Sequence, residues 1–126
     1  MRVVLDTSVV IATDVGPIEG EIAISCVTLA ELHFGVLVAK NLDDRAERLR
    51  RLLFLQRRFD ALPMDEAVAA GYGQIAAAVA SAGRQPRARS MDLLIAATAL
   101  AHSATLYTRN INDFDGLADL IEVREA

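Results

Sequence analysis

The 126-residue sequence has little of what staples small or exported domains together. Its one cysteine, Cys26, cannot close a disulfide within the chain. The two histidines, His33 and His102, are isolated and no Cys-x-x-Cys pair exists, so zinc-ligand spacing is missing. No apolar run is long enough to span a bilayer; the longest, Leu93 to Ala101, falls far short. The start, Met1-Arg2-Val3-Val4-Leu5-Asp6, meets a charge before a signal-peptide core can form. There is one lysine, Lys40, and it lies too early in the chain to serve a phosphoacceptor signalling module, which needs a lysine after a late strand. Repeats, low-complexity tracts and linkers are also missing. What remains is an expectation of one cytosolic domain over residues 1–126, with 53% apolar residues to build its core.

The order of apolar runs predicts an α/β fold. Arg2 to Leu5 reads as a buried strand ending at Asp6, followed by a short helix, a break at Gly16-Pro17 and a second strand over Glu21 to Ser25. Thr28 and Glu31 have capping-box spacing, which predicts a helix from Thr28 to about Ala39. A long amphipathic helix opens at Asp43-Asp44 and reaches Phe59. Ala46, Leu49, Leu52, Leu53 and Phe59 form one face, and Arg50, Arg51, Arg57 and Arg58 form the other with Phe54 among them. A short strand over Ala61 to Met64 leads to a helix from Asp65-Glu66 that Gly83 stops. After a basic loop, Gly83 to Arg89, Ser90 is expected to cap a helix that is apolar nearly all round from Leu93 to Ala101. Thr105 to Tyr107 and Leu120 to Val123 are the last strands. Strands alternating with helices imply a mostly parallel sheet covered on both faces.

In such sheets ligands lie beyond the carboxyl ends of the strands. Asp6 stands at one such end and Thr108 to Asp113 follow another, while Glu31 and Asp92 sit in first turns of helices. Carboxylates brought together there repel unless a cation intervenes, and Mg²⁺ or Mn²⁺, which prefer oxygen ligands, would fill that role. A bound ion lowers the pKa of its water and stabilises charge on phosphate, as phosphodiester hydrolysis requires. Each acid also has an ordinary role available. Asp6 can cap a helix, Glu31 can complete a capping box, Asp92 can favour a helix N-terminus, and Asn110 and Asp113 are turn formers.

The wording and order of these segments resemble the VapC-type PIN domain over essentially the whole chain. The matching pieces are Val4-Leu5-Asp6-Thr7-Ser8; Val27-Thr28-Leu29-Ala30-Glu31-Leu32 with Gly35-Val36; Met91-Asp92-Leu93-Leu94-Ile95-Ala96-Ala97-Thr98-Ala99-Leu100; and Leu106-Tyr107-Thr108-Arg109-Asn110 with Asp113-Phe114. The resemblance implies a three-layer α/β/α domain whose five-stranded parallel sheet has the order 3-2-1-4-5. It implies metal ligands at Asp6 and Asp92 and an acidic site completed by Glu31, with Thr7, Ser8 and Thr108 orienting carboxylates or waters. Many family members carry Asp where this chain has Asn110, and Asp113 is near enough in sequence to compensate. The implied activity is Mg²⁺-dependent hydrolysis of structured RNA such as tRNA or rRNA, by the toxin of a toxin–antitoxin pair.

Arg84, Arg87 and Arg89 of the basic loop, with Arg109, are the candidate contacts to RNA phosphates. Arg50, Phe54 and Arg57 are the candidate surface for a small antitoxin, with a toxin homodimer inside a heterotetramer or larger complex. Two alternatives stay open: a PIN-like module that binds RNA or a partner without cutting, and a PIN nuclease outside any toxin pair.

Overall fold

Val3, Val4 and Leu5 are all buried, and their alternation sends Val4 to one side of a sheet and Val3 and Leu5 to the other. The computed structural model describes residues 1–126 and builds five parallel strands around this run. Strand β1 (Arg2–Leu5) lies at the centre, flanked by β2 (Glu21–Ser25) and β4 (Thr105–Thr108); β3 (Ala61–Leu62) and β5 (Val123–Glu125) form the edges. The order β3-β2-β1-β4-β5 is the expected one. Leu5 pairs with Ile24 on one side and Tyr107 on the other, so the ends of β1, β2 and β4 are level.

Helices cover both faces. On the Val4 side α4 (Glu66–Ser81) and α5 (Ser90–Ala101) pack with Leu106 and Phe114 into the larger core. Gly71 lets them approach closely: a Cβ there would stand 3.1 Å from the Ala97 carbonyl oxygen. On the other side α1 (Thr7–Ile11) and α3 (Leu42–Arg58) supply Val9 and Leu55 to the smaller core with Ile24. Helix α2 (Cys26–Leu37) runs beside α3. None of these helices is long and apolar enough to cross a membrane.

Gly83 ends α4 as expected. At φ +81° it takes the left-handed cap, and the amides of Gly83 and Arg84 reach back to the carbonyls of Ala80 and Val79. Several boundaries differ. Helix α2 starts at Cys26, because Ser25 accepts from the Val27 amide; Thr28 is therefore inside the helix and makes no capping box with Glu31. It ends at Leu37 rather than Ala39. Asn41 caps α3, placing Asp43 and Asp44 in its first turn. Leu55, outside the expected stripe, is buried with Leu52, while Leu49 and Leu53 remain exposed. Ser90 is already helical and donates to the Arg87 carbonyl instead of capping α5; residues Pro86–Arg89 form a 3-10 turn leading into it. Strand β3 stops before Pro63, which has no amide to donate. The last strand lies later than Leu120–Val123: Ile121 goes into the core as part of a turn, and Val123–Glu125 pairs with β4.

Candidate acidic metal site

Order 3-2-1-4-5 places the topological switch between β1 and β4, where the chain leaves neighbouring strands in opposite directions. Asp6 leaves β1 at this crevice and is nearly fully buried. Its carboxylate is held from three sides. Oδ1 accepts from the Ser8 hydroxyl and from the Val9 amide at 3.2 Å, capping α1, and Oδ2 accepts from the Thr108 hydroxyl at 2.6 Å. The two hydroxyls are themselves fixed by backbone amides. Ser8 Oγ accepts from Arg109 and Thr108 Oγ from Asn110, each at 3.0 Å. The loops after β1 and β4 are thus locked together through one carboxylate.

Thr7, the next residue, points to α2. Its hydroxyl donates to Glu31 Oε1 at 2.6 Å and lies 3.1 Å from the hydroxyl of buried Thr28. Asp92 enters from the first turn of α5, half-buried, with no hydrogen bond to its carboxylate from the rest of the chain. Burial pushes its pKa upward, and the neighbouring carboxylates of Glu31, Asp6 and Asp113 push it further in that order; only Arg89 opposes them. Asp113 is paired with Arg89, 2.7 Å from Oδ1 to Nη1. Asn110 is exposed and opens the 3-10 turn that carries Asp113, its carbonyl accepting from the Asp113 amide.

Asp6, Glu31, Asp92 and Asp113 therefore share one region of charge, which the sequence leaves scattered over a hundred residues. No three of these side chains stand close enough to grip a single ion directly. The donor set is all oxygen, and Mg²⁺ usually keeps several of its waters, so it suits carboxylates set loosely around a cavity. The unbonded, raised Asp92 among three other acids is the feature that a divalent cation would relieve. His33 is exposed, and His102 lies at the opposite end of the sheet, where its carbonyl accepts from Arg2.

The four arginines expected at RNA have varied surroundings. Arg109 makes a two-pronged pair with Asp14 at 2.9 and 3.0 Å, which holds Asp14 below the usual carboxylate range through hydrogen bonding and charge. Arg89 is tied to Asp113, and Arg84 lies 3.6 Å from Asp115. Arg87 is exposed and makes no ion pair. Arg50, Phe54 and Arg57 are exposed on α3, Phe54 at 63%. Sequence reasoning gave no site role to Thr28, Asp14 or, on α3, Arg48 and Arg51. Only the last two carried a visible signal, their i, i+3 spacing on an amphipathic helix.

A family model described as the PIN domain matches residues 3–120. Ribonuclease VapC5 of Mycobacterium tuberculosis is 38% identical over 130 residues, spanning 96% of this chain and 93% of the relative. Among solved structures, a member of the VapBC family of toxin–antitoxin systems, VapBC-5 from M. tuberculosis, superposes with a TM-score of 0.79 at 36% identity, covering 98% of this chain and 96% of that one. FitAcB from Neisseria gonorrhoeae gives 0.76 at 31% identity, covering 96% and 95%.

Proposed function

The chain belongs to the PIN-domain family, and from that premise we propose that it is a Mg²⁺-dependent endoribonuclease, the toxin of a VapBC-like pair, cutting structured RNA in the cytoplasm. One observation carries the proposal. At the switch point of the sheet a half-buried carboxylate without a hydrogen bond, Asp92, is pushed toward its protonated form first by burial and then by three neighbouring acids. A purely structural role for that residue would leave the cost of such crowding without return. Residues 1–126 act together as one domain in this reading.

Asp6 and Asp92 would hold the ion, with Glu31 completing the set and Asp113 nearby; Mn²⁺ would substitute. When bound, a divalent cation acidifies water and offsets charge on the phosphoryl oxygens. The chain does the positioning. Ser8 and Val9 occupy Oδ1 of Asp6 and Thr108 fixes Oδ2, which keeps the remaining acceptor capacity for an ion. Thr7 fixes one oxygen of Glu31 and leaves the other free to orient a water or accept its proton. Asn110 offers a carbonyl oxygen without charge at the rim. The basic loop, Arg84, Arg87 and Arg89, would meet the RNA backbone, Arg87 with its charge unspent and the others by exchanging a carboxylate for a phosphate. Arg109, clamped by Asp14, steadies the β4 loop and contributes less to the RNA.

The protein pairs with a small antitoxin. The solvent-facing stripe of α3 bearing Arg50, Phe54 and Arg57 suits an amphipathic segment of that partner. The toxin would form a homodimer within a heterotetramer or larger complex.

The decisive experiment is RNA cleavage in Mg²⁺ by purified Asp6→Asn and Asp92→Asn variants, mapped by sequencing the RNA ends. Each should lose at least about 100-fold in rate, since each removes a charged ligand. Rates like the unaltered protein's in both variants would sink the assignment.

A further inference from the structure

Helix α3 carries Arg45, Arg48, Arg50, Arg51, Arg57 and Arg58, half of the twelve arginines in the chain, against three acids in its first two turns. None of the six makes an ion pair, whereas Arg84, Arg89 and Arg109 are each matched with a carboxylate. The free positive charge of the molecule is therefore concentrated on α3. Two of these side chains share a groove with one acid of the site, Glu31. A groove of about 410 Å³ between α1, α2 and α3 is lined by Thr7 and Ile11 of α1, Glu31 and Leu32 of α2, and Arg48 and Arg51 of α3. Thr7 and Glu31 are the hydrogen-bonded pair described above. The groove thus meets the acid cluster at Glu31.

We infer that this groove is a phosphate-backbone track, in which Arg48 and Arg51 hold the RNA strand beside the cleavage site. Arg48 and Arg51 are three apart and share one edge of α3, so both guanidinium groups face the same channel. Arg48 is pre-oriented, because its Nη1 donates to the Gly35 carbonyl oxygen at 2.7 Å. Arg51 makes no hydrogen bond, is only partly exposed, and has all its donors available for a forked contact. Asp44 and Glu47 lie one turn back, beside the same arginines, and would turn a phosphate away from the outer mouth. Arg50, Phe54 and Arg57 form a separate stripe of α3, spaced i, i+4, i+7, so a protein partner on that face and RNA in the groove use different residues.

The inference rests on the reading of the acid cluster as an RNA-cleaving site, and the test separates the two. Binding of a labelled single-stranded RNA oligonucleotide would be followed by anisotropy across a salt series, in an Asp92→Asn background that does not cut. Adding Arg51→Gln should flatten the log–log salt slope by about 0.7, and Arg48→Gln with Arg51→Gln by about 1.4. In the cleaving protein the same changes should raise KM roughly tenfold while kcat stays within a factor of about two. Arg48 also braces α2, so the Arg51→Gln variant, which breaks no bond within the fold, guards against misfolding as the cause. An unchanged slope overturns the inference. So does an unchanged slope accompanied by lost antitoxin affinity, which would make the groove a protein site, and so does a parent protein that binds no RNA at low salt. Should the parent bind RNA with the expected slopes yet cut nothing, the track stands and the nuclease reading fails.

Discussion

The two acids at the heart of the site live in opposite circumstances. Asp6, at the end of the central strand, is buried and accepts three hydrogen bonds, two from hydroxyls that backbone amides hold in turn. Asp92, on the first turn of α5, is half-exposed, accepts none, and is crowded by like charge. One side of the site is finished by the fold; the other is left for something from solution to finish. A binding site needs both kinds. A rigid ligand sets where the ion goes, and a strained, unsatisfied one sets how strongly it is wanted.

Removing the cation tests that division most severely. Mg²⁺ at about a hundred times its dissociation constant should add about 2.7 kcal/mol to the folded state. For a chain of this size that is a rise in Tm of roughly 10 °C, reversed by EDTA. Asp92→Asn should abolish most of the rise. A Tm indifferent to Mg²⁺ would break the comparison at its weaker side. The Asp6 side is tested by Thr108→Val, which keeps the shape but removes the hydroxyl. Oδ2 of Asp6 then loses its donor and the Asn110 amide its acceptor. Calorimetric titration should show ion affinity reduced by about 10- to 100-fold, with no change in site charge. Unaltered affinity would mean that Asp6 is held well enough without this network.

How far this difference could be read from sequence varies by residue. Val3-Val4-Leu5-Asp6 announces a buried strand with an acid at its end, and the apolar run after Asp92 announces a buried helix. The sheet order came from likeness to a family, since periodicity carries no information on which strand lies beside which. Ser25 and Thr28 are both good caps three residues apart; the choice fell to Ser25 because Thr28 is wanted inside, against Thr7. At the C-terminus the apolar Leu120-Ile121 looks like a strand, yet its chain turns to bury Ile121 while Val123–Glu125 takes the sheet edge through backbone bonds alone. Least legible were the arginines. Arg109 and Asp14 are 95 residues apart, and nothing local marks them as partners. Which cations remain free for a substrate is a property of the folded surface, and it moves attention from the basic loop to α3.

The smallest expected effect is the one that isolates Asp92 without any ion. Its pKa is raised in the folded protein, first by burial and then by Glu31, Asp6 and Asp113. Above the raised folded value both folded and unfolded chains carry this charge, so the folded state bears the whole penalty. As pH falls through the raised folded value, the native protein takes up the proton first and the penalty fades, to vanish below the unfolded value. The Asp14–Arg109 pair works in the other direction, since a lowered carboxylate loses its contribution as pH falls. The useful quantity is therefore a difference between proteins. In EDTA, Asp92→Asn should melt above its parent at the alkaline end of the titration, and the gap should narrow as pH falls toward the unfolded carboxylate value of about 3.9. Asp6→Asn should melt below the parent at the higher pH, because an amide cannot accept from Ser8, Val9 and Thr108 together. Opposite signs from two acids in one cluster would separate the finished side from the unfinished one. Equal losses would show that Asp92 has a partner in the fold after all.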